Sequence, residues 1–426
     1  MDAKRLPSLV ILSAIALTLI GCQPPQEKAS LIIDDQNSQF AGKGCYGQSL
    51  KGRYLLTWSD GSVSLFKGSR QQVAELEQQY SPNKKQILMI EQDREISLRN
   101  LKINSAIRTQ SPTISSGVYW QVWGQEDIQA QDLWNQGIKG EGVTVAVIDT
   151  GIDLTHPSLS DNISVNGGEI PNNRIDDDGN GLVDDYQGFD FAHKIPTAPA
   201  ADHGTHVAGI IVAEPRNSPM VGVSHRAKIL PLNIMSENGG GSLSAAVFAI
   251  QYAKQQGVKV INASWGGALC ADTLKNTIKS LADHDILFVS AAGNDGVDID
   301  VYPEFPAGFA LPNQITVGAS VQSGLMAAFS NYSHNKVHVL APGHQILSSV
   351  PGGWLPASGT SMAAPFVSGL AALLWSKHPE ATLAQIKKAI TTSINTPKEY
   401  TPVVAGGRIN APLALAMLEA LLNEKE

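Results

Sequence analysis

Three short, glycine-rich stretches carry an acid, a base and a hydroxyl in chain order: Val145-Ala146-Val147-Ile148-Asp149-Thr150-Gly151, His203-Gly204-Thr205-His206-Val207-Ala208-Gly209 and Gly359-Thr360-Ser361-Met362-Ala363-Ala364-Pro365. An Asp, a His and a Ser are the parts of an activated hydroxyl nucleophile: the serine attacks, the imidazole takes its proton and the carboxylate orients the imidazole. Singly, each has a plainer reading. Asp149 suits a strand-end turn, His203 suits a core histidine with His206 as its rival, and Ser361 suits a helix cap. Two further segments add chemistry. Val289-Ser290-Ala291-Ala292-Gly293-Asn294 sets an amide just beyond an apolar run, where it can donate to a developing oxyanion. Ile261-Asn262-Ala263-Ser264-Trp265-Gly266-Gly267 ends a similar run in a glycine-relieved edge, along which a peptide can lie as an added strand.

These residues need elements to hold them. Apolar runs at Val143 to Ile148, Lys228 to Asn233, Val258 to Ala263, Ile286 to Ser290 and Gln314 to Val317 read as strands. They alternate with helical stretches at Gly204 to Ala213, Ser242 to Gln256 and Thr273 to Asp283. That alternation predicts an α/β fold, a three-layer, doubly wound, mostly parallel sheet covered on both faces. Asp149 then emerges at the carboxyl end of a strand, where such sheets gather their ligands. Ser361 opens the long apolar helix Met362 to Lys377, whose unpaired amides and dipole favour negative charge at its start. Leu383 to Thr391 and Ala411 to Leu422 read as amphipathic closing helices. The 426 residues, 43% hydrophobic and 16% charged, suffice for one large core and a smaller unit. That smaller unit is α+β: strands at Tyr54 to Trp58, Val63 to Phe66, Gln86 to Ile90 and Ile96 to Leu98, with a helix at Gln71 to Gln78.

With these segments together, the chain from about Trp120 to Leu422 resembles the subtilisin-like (subtilase) serine proteases, whose triad order is Asp, His, Ser. The resemblance implies that Asp149 orients the imidazole, His203 is general base and then acid, Ser361 attacks the carbonyl, and Asn294 with the Ser361 N–H holds the oxyanion. It implies that Ser264, Trp265 and Gly266 line the substrate strand, and that the protein is a serine endopeptidase acting as a monomer on proteins or peptides. Sedolisins are argued against, since the Glu they carry in place of the base has no counterpart at His203. The alternative is a catalytically inactive subtilase-fold peptide-binding module. An esterase or transpeptidase would use the same acyl-enzyme chemistry. Gly266, Gly267 and Ala292 suggest an open pocket for an apolar side chain.

The N-terminus reads as an export signal, with Lys4 and Arg5 before the apolar stretch Leu9 to Ile20. Leu19-Ile20-Gly21-Cys22 resembles the lipobox of bacterial lipoproteins, which implies a lipid on Cys22; Gln23 after it implies the outer membrane in a host with two membranes. The expected organisation is a lipoprotein signal peptide at 1–21, a tether at 22–44, a propeptide-like or accessory domain at 45–115 and the catalytic domain at 116–426. If the small unit is a propeptide, autocleavage is expected between about Leu101 and Tyr119, and a Cys45 to Cys270 disulfide would then retain the anchor. Whether those two cysteines pair stays open.

The net charge of −8 gives no affinity for nucleic acid. Between Asp161 and Asp190 lie Asp161, Glu169, Asp176, Asp177, Asp178, Asp184, Asp185 and Asp190 against one base, Arg174. Within this stretch Asp176, Asp178, Asn180 and Asp184, with Gly181 at the sixth position, follow the logic of a calcium loop. Gln187 stands where a full EF-hand has its bidentate Glu. Structural calcium is the expected cofactor.

Overall fold

The computed structural model describes residues 48–79, 86–97, 122–215, 218–236, 239–268, 270–396 and 401–424, with the backbone of two short strands at 32–33 and 102–103. The smaller unit comprises β1 (Ile32–Ile33), β2 (Ser49–Trp58), β3 (Val63–Lys67), α1 (Arg70–Gln79) and β4 (Ile87–Ser97), followed by β5 (Lys102–Ile103). The larger unit opens with α2 (Trp123–Asp127), α3 (Ala130–Asn135), β6 (Thr144–Asp149), β7 (Phe189–Asp190), α4 (Asp202–Val212), β8 (Lys228–Asn233) and β9 (Gly240–Ser242). It continues through α5 (Leu243–Gln255), β10 (Val260–Ala263), α6 (Asp272–Lys279), β11 (Leu287–Ala291) and β12 (Gln314–Ser320). Then come β13 (Val339–Pro342), β14 (Ile346–Val350), β15 (Gly353–Ser358), α7 (Thr360–Lys377), α8 (Leu383–Thr392), β16 (Ile394–Asn395), β17 (Arg408–Ile409) and α9 (Ala411–Asn423).

The central sheet has the order β16-β17-β13-β12-β11-β10-β6-β8-β7 and is parallel except for the β16–β17 pair at its edge. Alternation along each strand feeds two cores, because neighbouring side chains leave opposite faces. Val145 and Val147 of β6 pack with α4, α7, α8 and α9, while Ala146 and Ile148 pack with α5 and α6. The α/β fold class stands, with three layers. Helix α7 is apolar all round and buried from Thr360 to Trp375, as a helix must be when it lies between a sheet and other helices.

The smaller unit differs from expectation at one strand. Residues 86–90 and 96–98 read in sequence as two strands parted by the polar run Glu91-Gln92-Asp93-Arg94-Glu95, whereas β4 is one strand through it. The polar residues are interface residues. Glu91, 1% exposed, accepts from the Asp272 and Thr273 amides at 3.0 and 2.7 Å and so caps α6. Asp93 accepts from the Ser244 amide at 3.0 Å and the Ser244 hydroxyl at 2.7 Å at the start of α5, and Arg53 pairs with it at 2.7 Å. Carboxylates at helix N-termini meet orphan amides and the positive dipole end. Beyond them β4 pairs antiparallel with β9, from Glu95↔Ser242 to Ser97↔Gly240.

Burial raises the Glu91 carboxyl from 4.5 to about 7, against the pull of the Thr273 and Asp272 hydrogen bonds. A pKa raised in the docked state means that docking is favoured at low pH and loses that stabilisation as pH rises through about 7. Denaturation midpoints measured at about pH 5 and about pH 8 should therefore diverge more for the wild type than for Glu91→Gln. Equal divergence would remove Glu91 as the titrating group.

Candidate active site

Strand β6 delivers Asp149, fully buried, at its carboxyl end. Helix α4 starts beside it because Gly204 admits the β6 turn: a Cβ there would lie 2.4 Å from the Thr150 carbonyl oxygen. The Gly204 amide donates to Thr150 Oγ1 at 2.9 Å. In this contact His203 Nδ1 lies 2.5 Å from Asp149 Oδ1, which also accepts from the Thr150 amide at 2.7 Å. A carboxylate on Nδ1 fixes the tautomer that leaves Nε2 as the basic nitrogen. Nε2 is buried and has no hydrogen-bond partner. The rival, His206, faces the core, where its Nε2 lies 3.0 and 3.1 Å from the carbonyls of Ile346 and Leu355. Burial, reinforced by His203, pushes His206 down to about 3, so it is a neutral tie to the β14–β15 hairpin.

Ser361 stands in the first turn of α7. The cap residue Gly359 has no side chain to satisfy the helix start, and Asn294, just past β11, supplies the acceptor: its Oδ1 takes the Thr360 amide at 2.8 Å and the Thr360 hydroxyl at 3.0 Å. With Oδ1 committed, Nδ2 remains as donor beside Gly359, 3.5 Å from where a Cβ would lie. Pro365, lacking an N–H, leaves the Ser361 carbonyl without its helical partner. Ser264 Oγ donates to that carbonyl at 2.9 Å, and Ser361 Oγ donates back to the Ser264 carbonyl at 2.9 Å. Asn262 Nδ2 donates to Ser264 Oγ at 2.9 Å, and Ser368 Oγ donates to Asn262 Oδ1 at 2.8 Å. Asn262 and Ser368 were not singled out from sequence, although Ser361, Pro365 and Ser368 share one face of α7 by helical spacing.

Ser264, Trp265 and Gly266 line a pocket with Ala291, Gly293, Asn294, Asp295, Glu304, Thr360 and Ser361. Two carboxylates therefore stand where an apolar pocket was expected, and Gly267 and Ala292 are not in its wall. The cause is non-local. Gly267 and Phe305 exchange backbone hydrogen bonds at 2.9 and 2.7 Å, which draws the neighbouring Glu304 alongside Gly266.

The acidic stretch also folds differently from expectation. Asp176 accepts from the Asn180 and Gly181 amides, and Asp184 from those of Asn173 and Arg174. Of the four expected ligands only Asp178 joins the cation-sized group, Glu169, Asp178 and Asp185, whose carboxylate oxygens lie within 4.8 Å of one another. Asn180 donates its amide to Asp178 and Asp185. Asp185 is fully buried, accepts from Tyr252 OH and keeps Oδ1 without a partner. A buried carboxylate with one oxygen orphaned, grouped with two more carboxylates, fits a hard cation. Spacing along the loop missed Glu169 because it precedes the loop and folds back, its Oε1 accepting from the Asp177 amide at 2.9 Å.

Residues 140–408 match the subtilase family, peptidase S8 type. The major intracellular serine protease of Bacillus subtilis (strain 168) is 36% identical over 262 residues, covering 61% of this chain and 76% of its own. Subtilisin Savinase of Lederbergia lenta is 34% identical over 296 residues, 68% of this chain and 97% of its own. Fervidolysin from Fervidobacterium pennivorans, described as a keratinolytic enzyme related to subtilisin, superposes with a TM-score of 0.68 at 25% identity. That match covers 87% of this chain, which spans 61% of fervidolysin. The chain belongs to the subtilase family and is a subtilisin-like serine endopeptidase.

Proposed function

We propose that the protein cuts peptide bonds through Asp149, His203 and Ser361, with Asn294 as oxyanion donor, while tied to a membrane by a lipid on Cys22. The observation that carries the reading is the 2.5 Å Asp149–His203 bond, which leaves a buried His203 Nε2 with no partner. For attack, Ser361 Oγ must leave the Ser264 carbonyl and give its hydrogen bond to His203 Nε2. His203 accepts the proton as Oγ attacks the carbonyl carbon, and Asp149 stabilises the imidazolium. The oxyanion accepts from Asn294 Nδ2 and the Ser361 amide. His203 then protonates the leaving amine, and water hydrolyses the ester by the same path reversed. Nothing in the site favours the inactive peptide-binding module.

Calcium on Glu169, Asp178 and Asp185 would offset the repulsion of three clustered carboxylates and supply a structural tie between the acidic stretch and α5, through Tyr252. Residues 1–21 with Cys22, most of the tether at 22–44, and Cys45 lie outside the described residues, as does most of the stretch between Leu101 and Tyr119. Among the described residues no helix is long and apolar enough to cross a membrane. The smaller unit is read as a propeptide that retains the enzyme. Its β4 pairs with β9, and β5 pairs with β15 through Ser358, three residues before the nucleophile. Cys270 is disulfide-bonded, and the only other cysteines of the chain are Cys22 and Cys45, both upstream of β4. A cut downstream of β4 thus leaves the anchor-bearing piece covalently joined to the catalytic domain.

Hydrolysis of a denatured protein should vanish in Ser361→Ala, and Asn294→Ala should lower kcat by ~10² to 10³ with KM little changed. Full activity of Ser361→Ala would refute the mechanism. Chelation should lower the melting temperature of the wild type and have less effect on Asp185→Asn; an unchanged wild-type Tm excludes the cation. On gels, the wild type should run as one species without reductant and as two after a thiol reductant, while Ser361→Ala stays single in both. Two wild-type species without reductant would contradict the tether, and a single one after reduction would contradict the cut.

A further inference from the structure

Beyond β11 the chain turns through Gly293 and Asn294, and this turn is wrapped around one buried side chain, Asn331, which is 1% exposed. Asn331 Nδ2 donates to the Ala292 carbonyl at 3.1 Å, and Oδ1 accepts from the amides of Asp295 at 3.0 Å and Val297 at 3.1 Å. The Asn331 amide donates to the Gly293 carbonyl at 3.0 Å. These bonds grip the backbone on both sides of Asn294. The carboxamide has one orientation that serves them all, since two N–H groups need its oxygen and a carbonyl needs its NH2. Gly293 lets it approach: φ is +102°, and a Cβ there would lie 2.3 Å from Asn331 Nδ2.

Asn331 is itself rooted in the central sheet. Ser330 Oγ accepts from the Ala319 amide of β12 at 2.9 Å and donates to the Asn331 carbonyl at 3.0 Å, and β12 pairs in register with β11. The other side of the turn is held by α7, where Thr360 Oγ1 accepts from the Gly293 amide at 3.0 Å and donates to Asn294 Oδ1 at 3.0 Å. The contacts from α7 orient the Asn294 side chain, and Asn331 fixes the backbone from which that side chain springs. An oxyanion donor is effective only if it is in place before charge develops, and a displacement of about 1 Å can cost ~10²-fold in rate. Asn331 does not line the pocket beside Ser361. Any effect it has on the reaction therefore passes through Asn294.

We propose that Asn331 is a positioning residue for the peptide-cleaving reaction: its carboxamide clamps the turn from Ala292 to Val297 so that Asn294 Nδ2 is held ready for the oxyanion. The proposal rests on the reading of Asn294 as oxyanion donor given above.

The test compares hydrolysis of denatured casein by the wild type, Asn331→Ala, Asn294→Ala and the double variant, with rates taken per active site from the end point of fluorophosphonate labelling. Asn331→Ala should lose ~10- to 100-fold in kcat with KM within about twofold, because the oxyanion forms only as the transition state is approached. In the Asn294→Ala background the same substitution should cost less than about threefold, since the donor it positions is gone. An unchanged kcat in Asn331→Ala, a loss carried by KM, or an equal loss in both backgrounds overturns the proposal, while a fall in Asn294→Ala leaves the catalytic reading standing. Wild-type kcat in Asn294→Ala overturns both. A measurement on the wild type needs no variant to fold: the amide of Asp295, an exposed residue, should exchange with deuterium at least ~10²-fold more slowly than an unprotected amide. Free exchange at that amide overturns the clamp.

Discussion

Helix α7 enters the core with a glycine at its cap, a serine in its first turn and a proline four residues after that serine, so its start cannot satisfy its own backbone. A buried helix end with unmet amides and carbonyls is costly, and the surrounding structure is arranged to meet each one. Asn294 takes the Thr360 amide, and Ser264 takes the place of the amide that Pro365 lacks. Both partners come from loops that leave β11 and β10 at the same edge of the sheet. The pairing of β10 with β11 in register thus sets the distance between the amide that would hold an oxyanion and the strand on which a peptide would lie.

The second half of the site depends on close backbone approach. Strand β6 places Asp149 next to Asn233 of β8 in register, and α4 comes down on the turn that follows. Only a residue without a Cβ permits this at Gly204. The result is a carboxylate and an imidazole held from two different elements, both out of water. In that setting their hydrogen bond is stronger than at a surface, and the cost of misplacing either partner is higher.

Much of this was legible in sequence because it is local. Strand-end Asp149, helix-start His203 and Ser361, and the amide at Asn294 each sit at an element boundary marked by apolar runs and glycines, and the mostly parallel sheet covered on both faces followed from alternation. What escaped was what depends on chain crossings. Glu304 reaches the pocket only through the Gly267–Phe305 pairing, Glu169 joins Asp178 and Asp185 by a fold-back, and the polar centre of β4 looks like a turn until α5 and α6 arrive to use Glu91 and Asp93. In each case a charged residue is in contact with a second element, and no periodicity within its own segment announces that element.

The account stands on Asp149, His203 and Ser361 acting as one unit, and Asp149→Asn addresses this with the least disturbance of shape. The direct measurement is the second-order rate of Ser361 acylation by a serine-directed fluorophosphonate in the variant and the wild type, with unfolding midpoints to confirm that both are folded. The account predicts a fall of ~10³ to 10⁴ in the variant, because the amide favours the wrong imidazole tautomer. An acylation rate within about threefold of the wild type in a folded Asp149→Asn protein would contradict it.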